Sequence, residues 1–430
     1  MSSRGIIEKG VVAVKDDLII DVGGPELLEK YDSAEKIDAR NNIVMPGLIN
    51  AHNHIPMIGF RGLGENGIKD RLMGFFFPLE KEFVTPEFVY LTTIHGCIEM
   101  AMGGVTTYCD MYYYMDKEAE AAKKIGMRAV LGETIINYTA PDAKTPDIAI
   151  KNTLDFIGKY SHDDLIVPAF APHAAHTLSE KFQKEIAALA LKHDANVIMH
   201  LAETSAEENP KHDIDNVYSL ESWGLLKTKL TLAHFIHIDK KQIEVLKKYD
   251  VGVAYNPMAN AKGATGIADA YGMIRAGVSV GLGTDGPMSS NETGLFTVMD
   301  FAVGMQRILS KDRTIMLPEE VVKMATIGGA KALHIDKLTG SIEPGKKADI
   351  IIIDLTSPNM VPHYDLYAAI VYQAGNSDVL TTIINGRMVM KDRKLLTYSL
   401  DKDMEDMEKI IARVSEFGKT LENKAKTGRK

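Results

Sequence analysis

The chain has 430 residues, which exceeds one ordinary domain of roughly 100 to 200 residues and suits a barrel of about 250 residues with a smaller module. Its 45% hydrophobic and 25% charged residues are typical of a folded globular protein, which excludes a disordered or fibrous chain. With a formal charge of −9 and no long basic run before the Lys-rich tail, the chain lacks the signature of a nucleic-acid binder, so a small-molecule ligand is expected.

Cysteine usage and hydropathy bear on the compartment. Cys97 and Cys109 are the two cysteines, too few for a disulfide framework or a four-thiolate zinc site. No apolar run approaches the roughly 20 residues of a membrane span, and the first ten residues lack the apolar stretch of a signal peptide. We therefore expect a reducing, cytoplasmic location and no membrane partner.

The predicted elements begin with short strands within 10–22 and continue with a long alternation of apolar strands and segments of helical period. The predicted strands of this alternation are 44–50, 105–111, 128–132, 165–171, 196–201, 230–234, 251–255 and 278–283. Eight parallel strands joined by helical crossovers predict the α/β class and a (β/α)8 TIM barrel over 45–338. An open doubly wound sheet is the alternative, but it would spread the strand ends over too great a width.

The flanks differ from the barrel. Short strands with turns in 1–44 and 339–395 predict one small, β-sandwich-like domain built from both ends of the chain. The remaining residues, 396–430, carry an amphipathic helix at 401–421 and a polar tail at 422–430 that is expected to fray.

Two histidines follow the first predicted barrel strand. His52 and His54 stand in Ala51-His52-Asn53-His54, directly after an apolar run. Residues two apart on an extended strand face the same way, so both imidazoles would point into the barrel mouth and share one metal ion. For this pair alone, two satisfied surface histidines are the alternative.

Three further strands end in residues of the same chemistry. His200 ends the fifth strand with Glu203 three residues later, His234 ends the sixth, and Asp285 follows the eighth. A single histidine or aspartate at a strand end is more often a cap or a satisfied polar group. Four such ends on one barrel predict a metal site with a general acid/base beside it.

These segments resemble the signature of the amidohydrolase superfamily. The closer resemblance is to its nucleoside and nucleobase aminohydrolases, in particular the 5'-methylthioadenosine/S-adenosylhomocysteine deaminases. It extends to 340–349 and 384–387, which are similar to that family's small β domain. The segments that carry it are 46–54 (Pro-Gly-Leu-Ile-Asn-Ala-His-Asn-His), 200–203 (His-Leu-Ala-Glu), His234 and 283–286 (Gly-Thr-Asp-Gly).

The resemblance implies a mononuclear site, since no lysine stands at the end of the fourth strand, 167–173, where dinuclear relatives carry a bridging carboxylated lysine. One divalent ion is expected, zinc or alternatively iron(II), because imidazoles suit these better than calcium or magnesium. Glu203 and His234 would act on the substrate and the attacking water. The implied metal ligands are His52, His54, His200 and Asp285.

The resemblance also bears on the substrate. Glu80 and His173 match positions that bind the ribose hydroxyls in methylthioadenosine-type enzymes; the alternatives are a solvated helix charge and a strand-end cap. The chain departs from the pattern in two places. Arg71 stands where those deaminases commonly have tryptophan, and the loop 133–150 contains no arginine to hold the carboxylate of a homocysteine tail.

The expected reaction is hydrolytic deamination of an aminopurine, most simply an adenine nucleoside such as adenosine, methylthioadenosine or 5'-deoxyadenosine. Asp285 would accept the proton of the attacking water, Glu203 would protonate the ring nitrogen, and His234 would fix and polarise the water. Deamination of a free nucleobase or a pterin, and hydrolysis of a chlorinated or alkylaminated triazine, are the alternatives within the enzyme class. A non-catalytic metal-binding homologue is the alternative outside it, and a homo-oligomer is left open.

Overall fold

The computed structural model describes residues 5–65, 67–68, 71–205 and 211–427. The chain opens with an antiparallel hairpin of β1 (Val11–Lys15) and β2 (Leu18–Gly23), which turns at Asp16 and so confirms the strands expected in 10–22. A third strand, β3 (Asn42–Pro46), belongs to a different sheet.

Eight parallel strands then form the barrel, each neighbouring the next in sequence order. This arrangement confirms the predicted (β/α)8 fold. The strands are β4 (Leu48–Asn53), β5 (Val105–Tyr112), β6 (Arg128–Ile135), β7 (Ile166–Pro172), β8 (Asn196–Leu201), β9 (Lys229–His234), β10 (Gly252–Tyr255) and β11 (Ser279–Leu282).

The first predicted barrel strand, 44–50, is wrong as a single strand. Its first half is the end of β3, which pairs with the small domain, and its second half is the start of β4. Gly47 separates the two, and a Cβ at this position would lie only 2.1 Å from Thr106 Oγ1. Only glycine allows the chain to pass this close to β5 as it changes sheets.

The rest of the small domain follows the barrel. Its sheet has the order β15-β14-β13-β12-β3, and it faces the β1–β2 hairpin across a small apolar core that includes Ile19, Val22 and Ile350. The two ends of the chain therefore build one domain, as predicted. Its later strands are β12 (Ile350–Asp354), β13 (Val379–Ile384), β14 (Arg387–Lys391) and β15 (Lys394–Leu395).

Helices cover the outside of the barrel with one apolar face turned inward. In the helix over 180–193, for example, Gln183, Ile186, Ala187 and Ala190 are buried at the spacing of a helical face. The helices are α1 (Leu27–Lys30), α2 (Phe77–Phe83), α3 (Pro86–Met102), α4 (Met115–Ile125), α5 (Pro146–Tyr160), α6 (Glu180–His193), α7 (Val217–Trp223), α8 (Lys240–Leu246), α9 (Pro257–Lys262), α10 (Ala270–Arg275), α11 (Phe296–Ser310), α12 (Pro318–Lys323), α13 (Gly329–Ala332), α14 (Leu366–Tyr372) and α15 (Leu400–Thr427).

The C-terminal helix is longer than predicted. Helix α15 continues to Thr427, so most of the segment 422–430 expected to fray is helical, and residues 428–430 lie outside the described chain. The helix packs on α2 and α3, where His95 Nδ1 lies 2.8 Å from Asp403 Oδ2 and the rings of Phe83 and Phe417 meet edge to face. These tertiary contacts stabilise the part of the helix that the sequence predicted. No helix within the described residues combines the length and the apolar character needed to span a membrane.

Barrel closure between β4 and β11 relies on a few specific hydrogen bonds. The backbone N–H of Asp285 donates to the carbonyl of His52 at 3.0 Å, and Thr284 N donates to Asn50 Oδ1 at 3.1 Å. These contacts lie immediately beside the predicted ligands. The hydrogen bonds that close the barrel therefore also position the predicted ligands.

Arg128, at the start of β6, joins the barrel to the small domain. Its Nε donates to Asp349 Oδ2 at 2.7 Å, and its Nη2 donates to Asn385 Oδ1 at 3.1 Å. Neither the Arg128 nor the Asp349 side chain has any exposed surface. Each charge in a buried pair depends on the other, because a lone buried charge has lost its hydration without compensation.

Replacing Arg128 by Met keeps most of the side-chain length and leaves the Asp349 carboxylate without its partner. We expect the free energy of unfolding, measured by urea titration, to fall by about 3–5 kcal/mol. Arg40→Met is the control, because Arg40 pairs with Asp38 at the surface and its side chain is 87% exposed; its loss should cost less than about 1 kcal/mol. Equal losses in the two variants would contradict the role assigned to Arg128.

Candidate active site

The predicted metal ligands meet at the carboxyl end of the barrel. His52 lies in β4, His54 directly follows it, His200 lies in β8, and Asp285 follows β11. The Nε2 atoms of His54 and His200 are 3.3 Å apart. Asp285 Oδ1 lies 3.4 Å from His54 Nε2 and 3.8 Å from His52 Nε2. The structure therefore brings all four groups to one point.

Backbone carbonyls set the orientation of two of these imidazoles. His54 Nδ1 lies 2.6 Å from the carbonyl oxygen of Met111, and His200 Nδ1 lies 2.7 Å from that of His173. Because a carbonyl oxygen only accepts, each Nδ1 carries the hydrogen and donates it. Each Nε2 then presents its lone pair to the centre of the cluster, as a metal ligand requires.

The protonation of the cluster also suits a cation. Burial, followed by the neighbouring imidazoles, lowers the pKa of both His52 and His200, so both rings are neutral at pH 7. The Nε2 atom of His52 is buried and has no hydrogen-bond partner among the described residues. Three ring nitrogens and one carboxyl oxygen are a donor set that fits zinc.

His234 lies beside the same point. The ligand atoms of His52, His200 and His234 fall within 4.8 Å of one another, as do those of His52, His54 and Asp285. The geometry thus places His234 next to the four predicted ligands rather than apart from them. Either a ligand or a group that acts on a neighbouring water could stand at this position.

Left-handed backbone conformations cluster at the strand ends of the site. Ala202, His234 and Asp285 have φ of 52°, 72° and 61°. Non-glycine residues in this region cost of order 1–3 kcal/mol each and persist only where the surrounding structure imposes them. Here they turn the chain sharply at the ends of β8, β9 and β11, beside the cluster.

Glu203 stands across from His234, with its Oε2 3.7 Å from His234 Nε2. Although 40% of the Glu203 side chain is accessible to solvent, it lies deep in the barrel mouth, and desolvation raises its pKa. Burial opposes protonation of His234, but the carboxylates of Glu203 and Asp285 outweigh it and raise the pKa of His234. The pair thus forms a site where a proton can be held or passed on.

Asn260 is a site residue that the sequence analysis missed. Its Oδ1 lies 2.8 Å from His234 Nδ1, and the side chain is 1% exposed. The amide oxygen accepts the Nδ1 hydrogen and leaves His234 Nε2 facing Glu203. The available signal was a polar residue shortly after the seventh strand, in Asn256-Pro257-Met258-Ala259-Asn260.

His173, predicted to contact the substrate, adjoins the cluster. Its ring centroid is 4.8 Å from that of His200, and its Nδ1 lies 3.1 Å from Thr177 Oγ1. Burial, together with the neighbouring imidazoles, lowers its pKa to about 3. His173 is therefore neutral, with Nε2 free of a hydrogen bond among the described contacts.

Glu80, the other predicted substrate contact, is in α2 and is only 3% exposed, which excludes a solvated helix charge. Burial raises its pKa to about 7, and the adjacent hydroxyls of Tyr112 and Tyr113 oppose that rise. Among the described residues no hydrogen bond or ion pair joins Glu80 to the histidines. It lies instead against the end of β5, the strand whose Met111 carbonyl holds His54.

The two departures from the family pattern lie near the mouth. Arg71 donates from Nη2 to the carbonyl of Met288 at 3.0 Å, and its guanidinium lies over the ring of Phe76. It thereby ties the residues preceding α2 to the loop after Asp285. The predicted loop 133–150 is shorter in the structure, because β6 continues to Ile135 and α5 begins at Pro146. In the connection that remains, Tyr138 is 49% exposed and its ring lies 6.4 Å from that of Phe77.

The sequence that builds this site matches a known protein family. The model of the Amidohydrolase family matches residues 43–389. The chain belongs to the amidohydrolase family. The resemblance seen in the sequence is thereby confirmed, and the matched segment contains every predicted site residue.

Individual members of the family align over nearly the whole chain. A 5-methylthioadenosine/S-adenosylhomocysteine deaminase of Syntrophus aciditrophicus is 38% identical over 415 residues, 95% of this chain and 94% of that protein. A 5'-deoxyadenosine deaminase of Methanosarcina barkeri is 35% identical over 410 residues, 94% of each. The crystal structure of an adenosine deaminase of Xanthomonas campestris with bound zinc is similar at a TM-score of 0.92 and 28% identity, covering 95% of this chain and 94% of that one.

Proposed function

We propose that the protein is a metal-dependent hydrolase that releases ammonia from the purine ring of an adenine nucleoside. The convergence of three imidazoles and Asp285, with Glu203 and His234 beside them, carries this proposal. The deaminase names of relatives that align along nearly the whole chain support it. Action on a small molecule in a reducing cytoplasm also belongs to the proposal, since Cys97 and Cys109 are free cysteines.

The resident ion of the proposed site is one zinc, held by His52, His54, His200 and Asp285. The nitrogen-rich donor set and the zinc in the Xanthomonas adenosine deaminase support this choice. When bound, such an ion lowers the pKa of a water molecule to about 7 and so supplies a nucleophile at neutral pH.

The side chains around the ion divide the proton transfers. Asp285 Oδ1 takes the proton that the attacking water loses, and His234 Nε2 orients that water while Asn260 holds the ring. Glu203, whose pKa is raised, keeps a larger protonated fraction at neutral pH and gives its proton to the ring nitrogen next to the attacked carbon. The proton on Asp285 then passes to the amino group, which leaves as ammonia, while the hydroxyl group on the attacked carbon returns a proton to Glu203 and becomes the ring carbonyl. Two carboxyl groups in different environments thus serve opposite roles.

The proposed substrate is a nucleoside rather than a free base. Glu80 and His173 would contact the vicinal hydroxyls of the ribose; the burial of Glu80 and the position of His173 beside His200 support a binding role over a surface role. Beyond the ribose, the segment 133–150, which connects β6 to α5, offers Tyr138 and no arginine. Adenosine, 5'-deoxyadenosine and methylthioadenosine should therefore be better substrates than S-adenosylhomocysteine, whose tail carries a carboxylate.

Metal analysis of the purified protein should find about one zinc per chain. His200→Ala should lose both the zinc and ammonia release, because it removes one of the four ligands. His363→Ala is the control, since His363 hydrogen-bonds the Met360 carbonyl in the small domain; it should keep both. Two ions per chain in the wild type, or a zinc-loaded His200→Ala, would refute the assignment.

Glu203→Gln keeps the shape of the side chain and removes its acid. Turnover should fall on the order of 10² to 10⁴, with zinc content unchanged, because only the proton transfer is lost. Single-turnover assays with ammonia detection, run beside metal analysis, measure both quantities. Near wild-type turnover would show that another group protonates the ring.

Glu80→Ala tests the ribose contact. The wild type should prefer adenosine over 2',3'-dideoxyadenosine, and the variant should lose about 10- to 100-fold of that preference, because a site that hydrogen-bonds the hydroxyls discriminates against a ligand that lacks them. The ratios of kcat/KM for the two nucleosides in both enzymes give the result. An unchanged ratio, or a wild-type preference for adenine or a pterin, would move the substrate to the nucleobase or pterin class.

A further inference from the structure

Two carboxyl groups that the proposed reaction does not use lie behind the metal site. Asp110 is on β5 and Glu118 is on α4, and neither residue has any exposed surface. Asp110 lies between Cys109 and Met111, whose side chains pack inside the barrel, so its own side chain points outward to the helices. It meets Glu118 there, outside the cavity that would hold the substrate.

Asp110 contacts the turn that carries His54. The backbone N–H of Ile55 donates to Asp110 Oδ2 at 2.5 Å. The carbonyl of the next residue on the strand, Met111, accepts from His54 Nδ1 at 2.6 Å. Two consecutive residues of β5 therefore hold His54 by its ring and by the peptide bond that follows it.

Ile55 N–H has no simpler partner. The short helix Ile55–Phe60 begins at this residue, and the side chain of His54 before it makes no capping hydrogen bond. Ile55 is completely buried, so water cannot replace a lost acceptor. The carboxylate of a neighbouring strand takes the place of a capping residue.

Glu118 gives Asp110 a proton partner. Asp110 Oδ1 and both carboxyl oxygens of Glu118 are buried and make no hydrogen bond of good geometry among the described residues, although the nearby Tyr108 hydroxyl opposes the rise in the pKa of Glu118. A single proton between the two neighbouring carboxyl groups would supply a donor. Burial raises the pKa of Glu118 to about 8 and that of Asp110 well above its usual range, in agreement with a retained proton.

We propose that Asp110 and Glu118 act as a pair of positioning residues that fix His54 for metal binding from outside the barrel. Asp110 holds the Ile55 N–H, and Glu118 holds the Asp110 carboxyl group in place through the shared proton. This proposal goes beyond the proposed deamination and depends on it only in taking His54 as a ligand. Loss of such a supporting contact typically costs 10–100-fold in metal affinity.

The next strand supplies a matched comparison. Glu133 on β6 is also a buried carboxyl group, and its Oε2 accepts the backbone N–H of Met115 at 3.2 Å. It supports the loop after β5 in the way that Asp110 supports the turn after β4. That loop carries none of the proposed metal ligands, so loss of Glu133 should destabilise the protein without loosening the metal.

The experiment compares Asp110→Leu, which removes the acceptor at similar volume, with Asp110→Asn, which keeps an acceptor oxygen. Zinc transfer to a chelating dye should be about 10- to 100-fold faster from the leucine variant, and within about threefold of wild type from the asparagine variant. Glu133→Leu should release zinc at the wild-type rate. Wild-type release from Asp110→Leu, or equal acceleration in Glu133→Leu, would overturn the proposal.

A metal-independent readout separates this proposal from the assignment of the ligands. In metal-free wild-type protein, hydrogen–deuterium exchange of the peptide containing Ile55 should be slow, and it should become faster in Asp110→Leu but not in Asp110→Asn. Unprotected exchange in the wild type would overturn the proposal even if the leucine variant does not fold. If His54→Ala kept its zinc, the ligand assignment would fail while the exchange result still reported on Asp110.

Discussion

The hydrogen bonds made by the Nδ1 atoms of the site histidines decide where their Nε2 atoms point, and the chemistry of the site depends on that direction. Met111 and His173 supply backbone carbonyls for His54 and His200. Asn260 supplies a side-chain carbonyl for His234. Because all three carbonyl oxygens only accept, each Nδ1 carries a hydrogen, so the Nε2 lone pairs of His54 and His200 point inward and His234 Nε2 faces Glu203. Without these contacts the same residues would be ordinary buried histidines.

The barrel makes this arrangement rigid. Met111 lies on β5 and His173 directly follows β7, strands that neighbour those of the ligands, while Asn260 is in α9. The Asp285 N–H donates to the His52 carbonyl where the barrel closes. The hydrogen bonds between the barrel strands also hold the left-handed residues at the strand ends, and they offset the energetic cost of these backbone conformations. The two reacting carboxyl groups lie in different surroundings. Desolvation raises the pKa of Glu203, whereas Asp285 lies among the imidazoles that would bind the cation.

Hydrophobic periodicity predicted most of the fold, and the polar residues at the strand ends predicted most of the site. Eight apolar runs with helical crossovers gave the barrel, and the polar residues after them gave the cluster at its carboxyl end. The break between β3 and β4 at Gly47 was not predicted, because a strand that changes sheets can keep the same hydropathy. The roles of Asn260 and Asp110 were not predicted, because their hydrogen-bond partners, His234 and Ile55, are distant from them in the sequence. Such contacts have no local pattern, since they exist only once the strands are side by side.

In the proposed site, four residues from three strands hold one ion. Anomalous diffraction at the zinc edge from crystals of the zinc-loaded protein tests it directly. We expect one peak per chain, about 2.0–2.2 Å from the Nε2 atoms of His52, His54 and His200 and from an oxygen of Asp285. A second peak, or a single peak whose ligands include His234 and omit His54 or Asp285, would contradict the assignment of one ion to these four ligands.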